Sequence, residues 1–449
     1  MDPISHPNDV PASAQPPRLL VVTVDRLPAW MLAAYGATWV ATPALDSLAA
    51  RGVVFDRVIT PSTAARDTLR DLLATGSAAG QTLLAAAVAG GWQPVVVTDD
   101  AAVATDITAD AAGPAAGVRL VEAVAKQTVE NDDTQTSIAR LVDAALEVIA
   151  SGEHRMVWCH VGSLGVAWDA PERYRDRYID PEDPPPPSGA CVPGFAVDAD
   201  TDPDLVVGIR QVFAGQVTLL DSQLGRLFAA VRPGKATAAG DWSVLVVGVR
   251  GLPLGLHGWV GIGERELPYG ELVHVPAIFA DAAGRMAAQR YGGLVVPADL
   301  GATLADLVAQ EPGPRPQTSA VVLTRDPVLP RDPVLDPVAL WRGVSLASLF
   351  EHWSAAFRDR VIVTGPDAAA IVTPEWHGLL RVGPAPAEAK PARDQRIRLF
   401  AKPDDFFELA DVANRCGDVA GALEALLEQA NAGDGRAAWQ TPLPEAASG

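Results

Sequence analysis

The sequence predicts an α/β fold: a large, mostly parallel sheet between helices, followed by a small antiparallel sheet with a closing helix. Three observations predict it. Apolar runs such as Arg18 to Asp25 (RLLVVTVD) and Ser243 to Val249 (SVLVVGV) lack the polar alternation of a half-exposed strand, so they read as strands buried on both faces. Helical stretches alternate with such runs, the pattern of strand–helix–strand crossovers. After about Leu349 the texture changes to short apolar runs with a single helix at the end.

The first strand, Arg18 to Asp25, ends in an acid, which places a polar side chain at the carboxyl edge of the sheet, where ligands of such folds bind. Thr42 and Pro43 start a helix as N-cap and first helical residue; Leu45, Leu48 and Ala49 form its inner face and Gly52 stops it. Val53 to Ile59 reads as a strand and Leu69 to Ala74 as a helix. The alternation continues with helices over Thr82 to Ala89, Ser137 to Ala150 and Leu205 to Val231, and strands over Pro94 to Thr98, Met156 to His160, Ser243 to Val249 and His274 to Ala280. Tyr174 to Asp204, with Pro184 to Pro187, reads as an irregular loop, and Gln310 to Pro337, rich in Pro and Asp, as a connector. Four short strands follow: Val361 to Thr364, Ala370 to Thr373, Leu379 to Val382 and Ile397 to Phe400. The closing helix spans Val419 to Ala430, with Asp418 placed to cap it. The division expected is a disordered tail over 1–17, a large α/β domain over 18–349 and a small α+β subdomain over 350–449.

Composition narrows the function. With 449 residues and 49% hydrophobic residues, the chain can bury a large core. No apolar run reaches the roughly 18 residues that a membrane span needs, and the polar, Pro-rich start does not resemble a signal peptide. The expectation is a cytoplasmic protein that does not enter a membrane. A formal charge of −20 makes this an acidic protein and opposes nucleic acid. Cys159, Cys191 and Cys416 have neither CxxC nor Cys/His metal spacing, so no disulfide framework or structural zinc is expected.

An ordered series of segments carries a resemblance. It runs from the strand ending in Asp25 through TPALDSLAARGVVFDR (Thr42 to Arg57), LLATG (Leu72 to Gly76), DAPERYRDRY (Asp169 to Tyr178) and LLDSQLGRL (Leu219 to Leu227). LVHVPAIF (Leu272 to Phe279), PADLGATLADL (Pro297 to Leu307) and KPDDFFELADVANRC near the end complete it. In that order they resemble the sulfatases, a family of the alkaline phosphatase superfamily, over about Arg18 to Leu427. The resemblance implies a divalent cation, usually calcium, and attack on sulfur by a hydrated formylglycine made from Cys or Ser; phosphate-directed relatives use Ser, Thr or Cys. A dianionic transition state needs fixed positive charge, and a hard cation needs several oxygen ligands.

Matched position by position, most of that equipment is replaced. The first metal ligands belong at the end of the first strand, where Asp25 is retained and Arg26 follows. The second pair follows the strand matching Ser243 to Gly248, where Val249 and Arg250 stand; Gly255, His257 and Gly258 fix this match at the family spacing. Counting back from Gly76 puts the nucleophile at Arg66, or at Ala65 with a one-residue gap, while Arg70 stands where the motif's arginine belongs. The family lysine after Val95 to Val97 corresponds to Asp99, and a family histidine to Gly165; His160 and His257 are retained. Ser62, Thr63 and Thr68 read as caps or turn residues, since no adjacent base is evident.

These replacements imply a catalytically inactive relative used for binding or regulation, with a remnant pocket of Asp25, Arg26, Arg66, Arg70, Asp99, Arg250 and His257. Asp25 is at most a residual metal ligand, and no cofactor is expected. Arg26 and Arg250 point at the old metal position. They either hold a sulfate- or phosphate-bearing ligand bidentately or, by pairing with Asp25 or Asp99, plug the site with a salt bridge. The alternative is an active sulfuric-ester or phosphoric-ester hydrolase with a rebuilt site: Asp25, Asp99 and Asp100 around calcium, with Thr63 or Thr68 attacking. A third reading is a structural subunit that docks a protein partner or another copy of itself through the nucleophile-side loop and the Pro184 to Pro187 loop.

Overall fold

The computed structural model describes residues 17–75, 82–110, 117–121, 128–232, 242–263, 266–309, 343–347, 358–382, 396–432, 438, 441–443 and 447. The expected tail (all but Pro17) and the expected connector over Gln310 to Pro337 lie outside them.

The large sheet begins with β1 (Arg18–Asp25), α1 (Pro43–Ala49), β2 (Val53–Ile59), α2 (Ala65–Leu73) and α3 (Leu83–Ala89). Next come β3 (Val95–Thr98), α4 (Ala101–Asp110), β4 (Gly117–Leu120), α5 (Ser137–Ser151), β5 (Met156–Val161) and α6 (Glu172–Arg175). β6 (Gly194–Ala196), α7 (Pro203–Val231), β7 (Trp242–Arg250), β8 (Trp259–Gly261), α8 (Gly270–Val273), β9 (His274–Ala280), β10 (Gln289–Val295) and α9 (Pro297–Ala309) follow. The chain closes with β11 (Val361–Thr364), β12 (Ala368–Val372), β13 (Trp376–Arg381), β14 (Ile397–Ala401) and α10 (Gly417–Asn431).

Eight strands form the large sheet in the order β10-β2-β9-β7-β1-β5-β3-β4. β9 pairs antiparallel with both β2 and β7, while the other ladders are parallel. Period-2 geometry divides β1 between two cores. Leu20, Val22 and Val24 face α1, α5 and α7 through Leu45, Ile138, Val142, Phe213 and Leu220. Leu19 and Val21 face α2, α3 and α9 through Leu72, Leu84 and Leu304. Burial of each such side chain is worth roughly 1.5–3 kcal/mol, so both faces oppose any register slip. β11 to β14 form the antiparallel four-stranded sheet, covered by α10 through Leu423, Leu426 and Leu427. No helix among the described residues is long and apolar enough to cross a membrane.

Several local expectations need correction. Thr42 does not cap α1 with its own side chain. The Asp221 carboxylate of α7 does so instead, accepting from Ala44 N at 2.9 Å and Leu45 N at 2.8 Å. α2 starts four residues before Leu69, and α10 starts before Asp418, which therefore lies in its first turn instead of capping it. The stretch between α6 and α7, expected to be irregular throughout, carries the short β6, which pairs antiparallel with β8, and is tied down by the buried Arg175. Arg175 donates to the carbonyls of Ala170, Pro187 and Gly189, and to that of Trp168. Pro186 lies against Gly208 of α7, where an added Cβ would come within 3.1 Å of the Pro186 Cα. The proline run is thus packed onto the long helix.

Candidate functional site

The site lies at the carboxyl ends of β7, β1, β5 and β3, four adjacent strands. β1 and β7 run in parallel register until a bulge between Val24 and Asp25, after which Asp25 stands opposite Arg250. Leu27 N donates to the Arg250 carbonyl at 2.9 Å and fixes the turn between them. Arg26, in that turn, takes φ 63°, the left-handed region that costs a non-glycine residue about 1–2 kcal/mol. Strain of this kind persists where surrounding contacts over-determine it.

The contacts are ionic. Arg250 grips Asp25 with a two-point fork, Nε to Oδ1 at 2.9 Å and Nη2 to Oδ2 at 3.2 Å. Its Nη1 donates to Glu266 Oε2 at 2.9 Å and, more weakly, to the Thr63 carbonyl at 3.4 Å. Glu266 turns its other oxygen to Arg26, with Oε1 2.5 Å from Nη2. Arg26 Nε lies 3.9 Å from Asp25 Oδ2, which closes a ring of two guanidiniums and two carboxylates with no net charge. Such charge-assisted bonds are about twice as strong as neutral ones.

The two arginines differ. Burial opposes the charge on Arg250, but Asp25 and Glu266 outweigh it and hold its pKa above the ordinary value. Burial and the neighbouring Arg250 lower that of Arg26. The Nε and Nη1 groups of Arg26 are buried and find no hydrogen-bond partner among the described residues. Gly165 makes room for this side chain: a Cβ there would lie 3.3 Å from Arg26 Cγ and 4.0 Å from Asp25 Oδ2.

Asp99 is placed beside the ring, not in it. Its carboxylate accepts from Gly162 N at 2.6 Å and Ser163 N at 3.2 Å, tying the end of β3 to the end of β5. Burial raises its pKa, and burial lowers that of nearby His160, whose Nδ1 lies 2.8 Å from Thr23 Oγ1. Asp100 accepts from Ala102 N and Val103 N and caps α4.

The remaining candidates lie elsewhere. Arg66, exposed on α2, pairs with Asp106 at 2.6 Å, and Arg70 is exposed on the last turn of the same helix. It is the loop before α2, through Thr63, that reaches Arg250. Ser62 caps locally, donating to Asp67 Oδ2 at 2.8 Å and accepting from Ala64 N. Thr68 is buried. His257 stacks on Tyr269 with ring centroids 3.7 Å apart, and burial pushes its pKa down to about 4. Its titratable neighbours are Glu408, His377, Arg398 and Lys402, none of them part of the ring.

Glu266 is the residue that sequence reasoning missed. A signal for it existed: two arginines at strand ends cannot both be neutralised by Asp25, so a second carboxylate had to come from a loop on that side.

The residues at the strand ends do not fit the divalent cation that the resemblance implies. Both Asp25 oxygens are engaged by Arg250, and cationic groups stand where further oxygen ligands would be needed. Among the described residues no group of three or more His, Cys, Asp or Glu side chains is placed to hold a metal ion.

No protein-family model matches the chain, and no curated protein sequence does. Solved structures do. The fold is similar to a phosphonate monoester hydrolase of Agrobacterium radiobacter, with 18% identity over 93% of this chain and 96% of that one and a TM-score of 0.65. It is similar to a protein solved with its substrate D-glucosamine-2-N,6-O-disulfate, with 12% identity, 95% and 98% coverage and a TM-score of 0.67. A 2-O GAG sulfatase gives 16% identity, 96% and 95% coverage and a TM-score of 0.62. The chain shares the fold of these sulfatase and phosphonate monoester hydrolase structures.

Proposed function

We propose that this chain is a non-catalytic protein on a sulfatase-like fold, used for binding or regulation and not for ester hydrolysis. The observation that carries the reading is the two-point grip of Arg250 on Asp25. The carboxylate that would anchor a cation is committed to a guanidinium. Of the candidate hydroxyls, that of Thr63 belongs to a residue whose backbone carbonyl faces Arg250. Loss of a nucleophile or a metal shell each removes orders of magnitude in rate. Three unpaired cysteines are in keeping with the cytoplasm as the place of action.

Turnover tests this reading. Purified protein is incubated with aryl sulfate, aryl phosphate and aryl phosphonate monoesters, with and without calcium or manganese. The expected result is no rate above buffer on any of them. A metal-dependent rate that disappears in Asp25→Ala would establish the rebuilt hydrolase instead.

A further inference from the structure

We infer that Glu266 is a built-in occupant of a two-arginine oxyanion site, and that a sulfate or phosphate group competes with it for Arg26 and Arg250. The inference rests on the non-catalytic reading and names the ligand class of the same site.

Glu266 bridges the guanidiniums with one oxygen on each, at 2.5 Å and 2.9 Å. A bound oxyanion would make the same two contacts. Asp25 cannot replace it, because both its oxygens already serve Arg250 and only a 3.9 Å approach is left for Arg26. A carboxylate offers two oxygens, and here each is used. Arg26 still has Nε and Nη1 buried without partners among the described residues. A tetrahedral oxyanion carries additional acceptor oxygens and can satisfy donors that the carboxylate leaves bare.

Access and charge agree with this. The side chains of Arg250 and Glu266 keep 18% and 16% of their surface open to solvent, so the ring is open to solvent on that side while Arg26 lies behind it, buried. Glu266 belongs to the irregular stretch between β8 and α8, so its exchange breaks no strand pairing. With the Glu266 carboxylate in place the ring is neutral; without that charge the two arginines and Asp25 carry one net positive charge.

The test compares wild type with Glu266→Gln by calorimetric titration of inorganic sulfate and of methyl sulfate, at matched ionic strength against chloride. The expected result is at least tenfold tighter binding to Glu266→Gln of one or both anions, abolished by adding Arg26→Met. The inorganic arm reports a free ion, and the methyl ester arm reports the end of a larger ligand. Equal binding of both anions to wild type and Glu266→Gln overturns the inference. Should Glu266→Gln fail to fold, wild type decides. Sulfate must raise its melting temperature more than chloride does, and Arg26→Met must erase the difference; no such difference overturns the inference. Ester turnover by wild type would refute the non-catalytic reading and leave these binding comparisons readable.

Discussion

Two ionic clusters differ in composition and in finish. At the strand ends of the large sheet, Asp25, Arg250, Glu266 and Arg26 form a neutral ring that is only partly open to solvent. Beside the small sheet, in the stretch after β14, Glu408 is buried and both its oxygens are used. It receives His377 Nδ1 at 2.6 Å, Lys402 Nζ at 2.9 Å and Gly270 N at 2.7 Å. Burial alone would raise the Glu408 carboxyl, yet His377 and Lys402 hold it well below the usual carboxylate range. Glu408 reaches from beside the small sheet to the first residue of α8 and acts as a rivet. The ring leaves two donors of Arg26 bare. His377 Nε2 is also buried without a partner among the described residues, so the contrast lies between a carboxylate and an ammonium that are satisfied and a guanidinium that is not.

The largest expected effect separates these roles. Glu408→Gln keeps the shape but leaves the Lys402 ammonium next to a neutral group in a buried setting. Breaking a buried ion pair from one side costs about 3–5 kcal/mol. Urea unfolding at pH 7 should show that loss as a lower midpoint. The stability that Glu408 confers is present above its unfolded pKa and is lost as the pH falls through its depressed folded value. Unfolding measured toward acid should therefore show the mutant and wild type converging. A midpoint unchanged at neutral pH would mean the cluster is not a rivet.

Glu271 sharpens the contrast from the other side. It lies near Glu408 and accepts from Leu254 N at 3.0 Å, and burial pushes its carboxyl up to about 8. A raised folded pKa stabilises the protein fully below the unfolded value of 4.5, and the contribution is lost as pH rises through about 8. Glu271→Gln keeps the hydrogen bond and removes the ionisation. It should gain a few kcal/mol at pH 8, at about 1.4 kcal/mol for each unit of the rise, and flatten the stability profile between those two values. A destabilised variant at pH 8 would show that the negative charge is wanted there, and that the region around Glu408 is not saturated.

Much of this was legible in sequence where local and tertiary signals agree. β1 and β9 are apolar runs buried on both sides, and their bounds follow from composition. The cap of α1 was not legible, because the carboxylate comes from Asp221 in a helix remote in sequence. Asp25, Arg26 and Arg250 stand out in sequence because strand ends and family spacing fix them. Arg66 and Arg70 do not join them, because counting from Gly76 ignores that α2 turns those side chains outward. His257 is drawn away by Tyr269, a stacking partner that no spacing rule announces.

The smallest expected effect bears hardest on the comparison. Arg26→Met removes a guanidinium whose Nε and Nη1 lack partners, and puts an apolar chain of similar length beside Gly165. It also removes one contact to Glu266, which keeps its bond to Arg250 at 2.9 Å. The unfavourable backbone at φ 63° is common to both residues and cancels. Losing one charge-assisted bond costs about 1.5–3 kcal/mol, and ending the burial of two orphaned donors returns a similar amount. The net change should lie within about 1 kcal/mol, because the Glu266 carboxylate that loses Arg26 keeps Arg250 and stays partly open to solvent. Chemical unfolding of Arg26→Met and Glu408→Gln side by side decides it. Equal losses would mean that Arg26 is as fully partnered as Glu408, and the distinction between an unfinished ring and a finished rivet would fall.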